Sequence, residues 1–123
     1  MKTENQENNQ KEVFKTPYHY ASEDDELMNI ETAIYPNGNV SKRITLSTGQ
    51  KAVVRELSGG DMMEIDDLLA GENNAVERQK KYLKWIYHLA VKIDGKQIPM
   101  EDFGTLKGKD FNRIKITAQT LNF

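Results

Sequence analysis

The stretch RELSGGDMMEIDDLLAG, residues 55–71, brings four carboxylates together after a pair of glycines. A glycine loop that opens onto such a cluster is the arrangement a metal or phosphate site would use. Two of the carboxylates have a simpler role. Asp61 directly precedes a helical apolar period and Glu64 follows three residues later, which is the spacing of a capping box at a helix start. The other two, Asp66 and Asp67, are then predicted to face solvent.

The rest of the chain offers few partners for a catalytic site. It has no cysteine, and its two histidines, His19 and His88, stand at no recognised ligand spacing from another ligand type. The strings TLSTGQ and ELSGGD lack the GxSxG pattern of a nucleophile elbow, and LSGGD lacks the lysine of a P-loop. We therefore expect no catalytic residue, no metal ligand and no cofactor. A small hydrolase that uses Glu64, Asp66 and His88 is an alternative hypothesis.

The composition narrows the remaining function classes. The chain has 123 residues, of which 37% are hydrophobic, enough for one modest core. Its 17 basic and 19 acidic residues leave a formal net charge of -2, which argues against a nucleic-acid partner. The longest apolar runs, such as WIYHLAV at 85–91, are far shorter than the roughly 20 residues of a membrane span. The N-terminus lacks the apolar region of a signal peptide, so we expect a soluble product without a membrane partner.

The first 28 residues differ in composition from the remainder. Residues 1–12 are almost wholly polar, which predicts disorder, and an aromatic patch (Phe14, Tyr18, Tyr20) is followed by an acidic run at 23–26. The sequence therefore predicts a disordered acidic polar arm over 1–28 and a single α+β domain over 29–123. The aromatic patch is interpreted either as a strap on the domain or a floppy tail, or as a short docking motif for a partner.

Hydrophobic residues alternate with a period of two from Ile30 onward, which predicts strands near 30–35, 41–47 and 51–57. Turns containing Gly38 and Gly49 separate them. Since Pro36 ends the first of these strands early, that strand is expected at an edge of the sheet.

The period then becomes helical. Met62, Ile65 and Leu69 form one apolar stripe that Gly71 ends, and further helices are predicted at about 74–91 and 109–121. A tight turn is expected at Asp94-Gly95 between them. The predicted fold class is α+β: a small N-terminal β-meander or hairpin followed by about three helices and preceded by the disordered arm.

The helix at 74–91 has an unusually wide apolar face. Its Tyr82/Trp85/Leu89 flank is interpreted either as core or, with the amphipathic C-terminal helix, as a surface for an apolar partner helix. On the second interpretation, the partner-binding side chains are Tyr82, Trp85, Leu89, Phe111, Ile114 and Leu121.

Basic residues cluster on two predicted helices. They are interpreted as solvated helix faces, or as docking surfaces for an acidic protein partner or for the acidic arm of the chain itself. The first cluster is Arg78, Lys80, Lys81 and Lys84, and the second is Lys107, Lys109, Arg113 and Lys115.

Two strings of the sequence resemble a known family. ITLSTGQKAVVRELSGGDMMEIDDLLAG combines two short strands, a glycine turn, an Arg-Glu-Leu strand end and a Gly-Asp helix start. VKIDGKQIPMEDFGTLKGKDFNRI combines an I-D-G-x-x-I turn, an acidic-aromatic segment and a Leu...Asp-Phe helix. Over roughly residues 40–121, both are similar to the small tail assembly chaperones of contractile-tailed bacteriophages and related prophages.

The resemblance implies a non-enzymatic protein of the host bacterial cytoplasm. It implies binding to the long, aggregation-prone tape measure protein before and during tail tube polymerisation, and absence from the finished virion. The tail tube protein is a second expected partner, and a homo-oligomer is left open. The alternative function is a structural or adaptor component of the tail that stays in the virion.

Overall fold

Six antiparallel strands form one sheet in which each strand pairs with the strand before it along the chain. A computed structural model describes residues 14–123. The elements, in chain order, are β1 (Thr16–His19), α1 (Glu23–Leu27), β2 (Ile30–Ile34), β3 (Val40–Thr45), β4 (Lys51–Arg55), α2 (Gly59–Leu68), α3 (Ala75–Ala90), β5 (Val91–Ile93), β6 (Lys96–Gln97), a 3₁₀ helix (Met100–Thr105) and α4 (Gly108–Asn122).

The three predicted strands are confirmed as β2, β3 and β4, joined by tight turns. Gly38 and Gly49 both have φ = +91°, a conformation that glycine adopts at little steric cost. The expectation that the first of these strands lies at an edge is wrong. β1, which was not predicted, pairs with β2 on its other side, and Pro36 lies beyond the end of β2, where it removes no ladder hydrogen bond.

The hydrophobic core lies between one face of the sheet and the three longer helices. Ile30, Ile44, Ala52 and Ile93 are successive cross-strand partners, so their side chains form one row on the same face. Alternate residues of each strand point to this row, which explains the period of two in the sequence. The helices contribute fully buried side chains to the same core, namely Ile65, Ile86, Ile114 and Ala118.

The predicted helices are confirmed as α2, α3 and α4, but they do not follow one another directly. A short hairpin, β5–β6, stands between α3 and α4 and adds two strands to the sheet. Its turn is the one predicted at Asp94-Gly95, where both residues have positive φ (+52° and +82°), as a two-residue hairpin turn requires. The 3₁₀ helix at Met100–Thr105 was not predicted.

The segment 14–28, which the sequence predicted as part of a disordered arm, carries β1 and α1, and β1 pairs with β2 in the sheet. Phe14 and Tyr18 form an aromatic strap on the face of the sheet opposite the core. The Tyr18 hydroxyl lies 2.9 Å from the Ser41 hydroxyl, and the Arg43 guanidinium lies over the Tyr18 ring at 4.2 Å. The predicted disorder of residues 1–12 lies outside the described residues.

The chain is therefore a mixed α+β protein, as predicted, with more strands than expected. Within residues 14–123, no helix is both long enough and apolar enough to cross a membrane.

Candidate protein-binding surface

The glycine-carboxylate stretch is a helix start, but its cap differs from the prediction. The N-cap is Ser58, whose hydroxyl accepts from the Asp61 amide at 3.1 Å, while the Asp61 carboxylate accepts from the Ser58 amide at 2.9 Å. This is a capping box one turn earlier than the predicted Asp61/Glu64 pair, because α2 already begins at Gly59. The Ser58 amide, together with the Arg55 guanidinium at 3.1 Å, lowers the pKa of Asp61.

The other candidates for chemistry are not brought together. Glu64, Asp66 and Asp67 are exposed on α2, and Asp66 lies 3.6 Å from the Arg78 guanidinium. His88 is half-buried on α3, where its Nδ1–H donates to the carbonyl of Ile98 at 2.8 Å. No group of three or more His, Cys, Asp or Glu side chains in the described part of the chain is placed to hold a metal ion.

Of the six predicted partner-binding residues, Ile114 lies in the core and Phe111 packs against it within an aromatic cluster. Ile114 is fully buried and therefore cannot contact a partner while the domain is folded. Phe111 packs into an aromatic cluster, with ring centroids 5.7 Å from Tyr87 and 6.0 Å from Phe103. For these two residues the amphipathic period of α4 identified the face that packs inward.

The other four, Tyr82, Trp85, Leu89 and Leu121, are half-buried and pack against the core from its rim. The Tyr82 hydroxyl lies 3.5 Å from the sulfur of Met62, and its ring centroid lies 6.3 Å from that of Phe123. The Trp85 ring packs edge-on against His88. Each of these side chains therefore combines a buried part with a part that reaches the surface.

Apolar side chains that were not predicted to bind are also exposed near these residues. A groove between α3 and α4, here called the α3–α4 groove, is lined by Gln79, Leu83, Gln119, Thr120 and Phe123.

Phe123 is 67% exposed directly after α4. Val76, 63% exposed, lies one turn before Gln79 on the same side of α3, so the α3 face that borders the groove continues as an exposed apolar surface. The helical period places Val76 and Leu83 on one face, but it cannot show that Val76 lies beyond the edge of the core.

Most of the first basic cluster is paired within the domain. Lys81 lies 2.6 Å from Glu72, Lys80 lies 3.6 Å from Glu77, and Arg78 donates to the carbonyl of Leu69 as well as pairing with Asp66. Such exposed pairs contribute little stability. They do neutralise part of the positive charge on α3, so this cluster is a weaker docking surface for an acidic partner than its composition indicates.

The second basic cluster is divided between the interior and the surface. Arg113 donates to the buried carboxylate of Asp110 at 2.7 Å, and Asp110 also accepts from the amide and hydroxyl of Ser47. These contacts occupy Asp110 and tie α4 to the β3–β4 turn, so the buried carboxylate has a structural role. Lys107 and Lys109 are exposed.

No protein-family model, no curated protein and no solved structure matches the chain.

Proposed function

We propose that the chain is a non-enzymatic tail assembly chaperone that binds the tape measure protein during tail morphogenesis in the host bacterial cytoplasm. The observation that carries the proposal is the exposed apolar surface of the α3–α4 groove, which ends at Phe123 and is extended by Val76. The family resemblance over residues 40–121 supports the choice of partner.

The groove has the features of a surface for an amphipathic helix. A helix that docks in a groove buries an apolar stripe, and aromatic side chains are frequent anchors in such contacts. Leu83 and Phe123 supply apolar side chains to the groove, while Gln79, Gln119 and Thr120 supply polar groups. By covering an apolar stripe of the tape measure protein, this surface would prevent the stripes of separate copies from aggregating.

Co-expression with the tape measure protein of the same genome tests the proposal. The tape measure protein is expected to be largely insoluble alone, and soluble and co-purified when this chain is present. If it stays insoluble, or is soluble without binding the chain, the proposed function is wrong.

Two groove variants and one control identify the surface. Phe123→Ser and Val76→Ser remove exposed apolar contacts, so the fold should persist. Truncation of an anchor costs about 2 kcal/mol, or roughly thirtyfold in Kd, which fluorescence anisotropy with tiled tape measure peptides would measure for Phe123→Ser. Met63→Ser is the matched control, because Met63 is equally exposed but lies on α2 outside the groove. Equal weakening by all three variants would contradict the assignment of the groove.

The alternative, a structural or adaptor component of the tail, predicts a different location. Mass spectrometry of purified virions distinguishes the two functions: a chaperone is expected in the lysate and absent from the particle. Stoichiometric recovery from the particle would support the adaptor function.

A further inference from the structure

A second groove lies at the opposite end of α4, where this helix meets the segment that follows α1. The residues that line it include Leu27, Met28, Lys107, Lys109 and Arg113. No residue of α1 is buried, and Leu27 and Met28 are 82% and 43% exposed. Two neighbouring apolar side chains thus face outward on an element that makes little contact with the core.

Charges of opposite sign lie on the two elements that border this groove, acidic on α1 and basic at the start of α4. Glu23 and Asp24, here called the acidic patch, lie one turn before Leu27 on the same side of α1. Lys107 and Lys109, here called the basic patch, lie just before α4 and in its first turn. Among residues 14–123, none of these four side chains takes part in a salt bridge.

The backbone between the two patches is held in place, so their separation is set by the fold. Arg113 donates to the carbonyl of Met28 at 2.6 Å and to the carbonyl of Thr45 at 3.1 Å. It is anchored in turn by the buried carboxylate of Asp110. The end of α1 is therefore tied to α4 and to β3, and the groove is presented as one preformed surface.

We propose that this surface is a homodimer interface whose occupant is a second copy of the chain. A two-fold axis that passes near Leu27 brings the apolar residues of the two copies together. It also places the acidic patch of each copy opposite the basic patch of the other, which is the self-complementary arrangement of an isologous interface. An acidic peptide fits less well, because it would face the acidic patch as well as the basic one.

The charged side chains of the acidic and basic patches are exposed, so the stability of the dimer should depend on salt concentration. Surface charges are screened by salt, so dimerisation weakens as ionic strength rises. The α3–α4 groove lies at the other end of α4, roughly 20 Å away for a helix of 15 residues, and stays open in the dimer. The dimer and the proposed chaperone function can therefore be tested independently.

Sedimentation equilibrium of the full chain, with charge-reversed variants, tests the interface. Lys107→Glu/Lys109→Glu and Glu23→Lys/Asp24→Lys are each expected to weaken self-association about tenfold or more, because like patches then face one another. An equimolar mixture of the two variants is expected to restore a dimer, because the reversed patches are again complementary. Leu27→Ser is expected to weaken the dimer without changing its salt dependence.

Lys92→Glu/Lys96→Glu is the matched control, since it makes the same change in net charge on the exposed β5–β6 hairpin. It should leave the dissociation constant within about twofold of the wild type. A wild-type chain that stays monomeric up to about 0.5 mM overturns the proposal. So does a mixture of the two reversed variants that fails to associate, or a control variant that weakens the dimer as much as either of them. Circular dichroism melting of each variant checks that the fold is retained.

Discussion

Replacing Asp110 with alanine tests whether the buried ion pair holds α4 on the sheet. Asp110 is 1% exposed. Its carboxylate accepts from the Ser47 amide at 3.1 Å, from the Ser47 hydroxyl at 2.9 Å and from Arg113 at 2.7 Å. The variant loses these contacts and leaves the Arg113 guanidinium, whose side chain is 14% exposed, with only the carbonyls of Met28 and Thr45.

The expected loss of stability follows from those contacts. Removing one partner of a buried pair costs about 3–5 kcal/mol, and a hydrogen bond to a charged group contributes about 1.5–3 kcal/mol. Because Arg113 keeps two carbonyl acceptors, we expect the lower end, about 3 kcal/mol, for Asp110→Ala. Asp110→Asn keeps the shape and one acceptor oxygen, so about half that loss is expected.

The stability that Asp110 contributes should depend on pH. Burial alone would raise its pKa, but the hydrogen bonds from Arg113 and Ser47 outweigh burial and hold the pKa below its ordinary value. A carboxylate whose pKa is lowered by folding stabilises the protein above its unfolded pKa, and this contribution is lost as the pH falls through the folded pKa. The difference in unfolding free energy between wild type and Asp110→Asn should therefore stay constant above about pH 5 and shrink as the pH falls below about 4, the ordinary pKa of an aspartate.

Urea unfolding followed by circular dichroism measures both effects. Asp67→Ala is the control, because Asp67 is an exposed carboxylate on α2, and it should change the unfolding free energy by less than about 0.5 kcal/mol. A loss below about 1 kcal/mol for Asp110→Ala would refute the reasoning, as would a difference for Asp110→Asn that stays constant with pH.

Three further substitutions test the strap, the cap and the hairpin turn. Tyr18→Phe should lower the free energy of unfolding by urea by about 1 kcal/mol, because it removes the hydrogen bond to Ser41. An unchanged free energy would show that the strap does not depend on this bond. Ser58→Ala should cost about 1 kcal/mol in thermal unfolding; no loss would mean that another residue caps α2. Gly95→Ala should lower the free energy of unfolding by about 1 kcal/mol, because φ is +82° at this position. Gly104→Ala, with open space around its Cβ, should lower it less. Equal losses for the two variants would contradict the role of φ.

The elements that the sequence predicted well depend on contacts between near neighbours. Gly38 and Gly49 mark turns because positive φ is a property of the residue itself. The stripe of α2 and the wide apolar face of α3 were visible because the helical period needs only the spacing of side chains along one helix.

The capping box shows how far such local reasoning extends. Ser58 and Asp61 are both good N-cap residues, and each is followed three residues later by an acidic side chain. The choice between them depended on where the chain leaves β4. Arg55, the last residue of β4, forms an ion pair with Asp61. A tertiary contact therefore favours the start that the spacing left undecided.

The sequence by itself determined the mixed α+β class, the three central strands, the three longer helices and the hairpin turn. Only the tertiary structure decided that Phe14 and Tyr18 form a strap and that Ile114 is buried while Phe123 is exposed. It also joined Asp110 to Ser47 across 63 residues. The physical reason is that periodicity shows which side chains share a face, whereas burial and surface availability depend on which distant segment packs against that face.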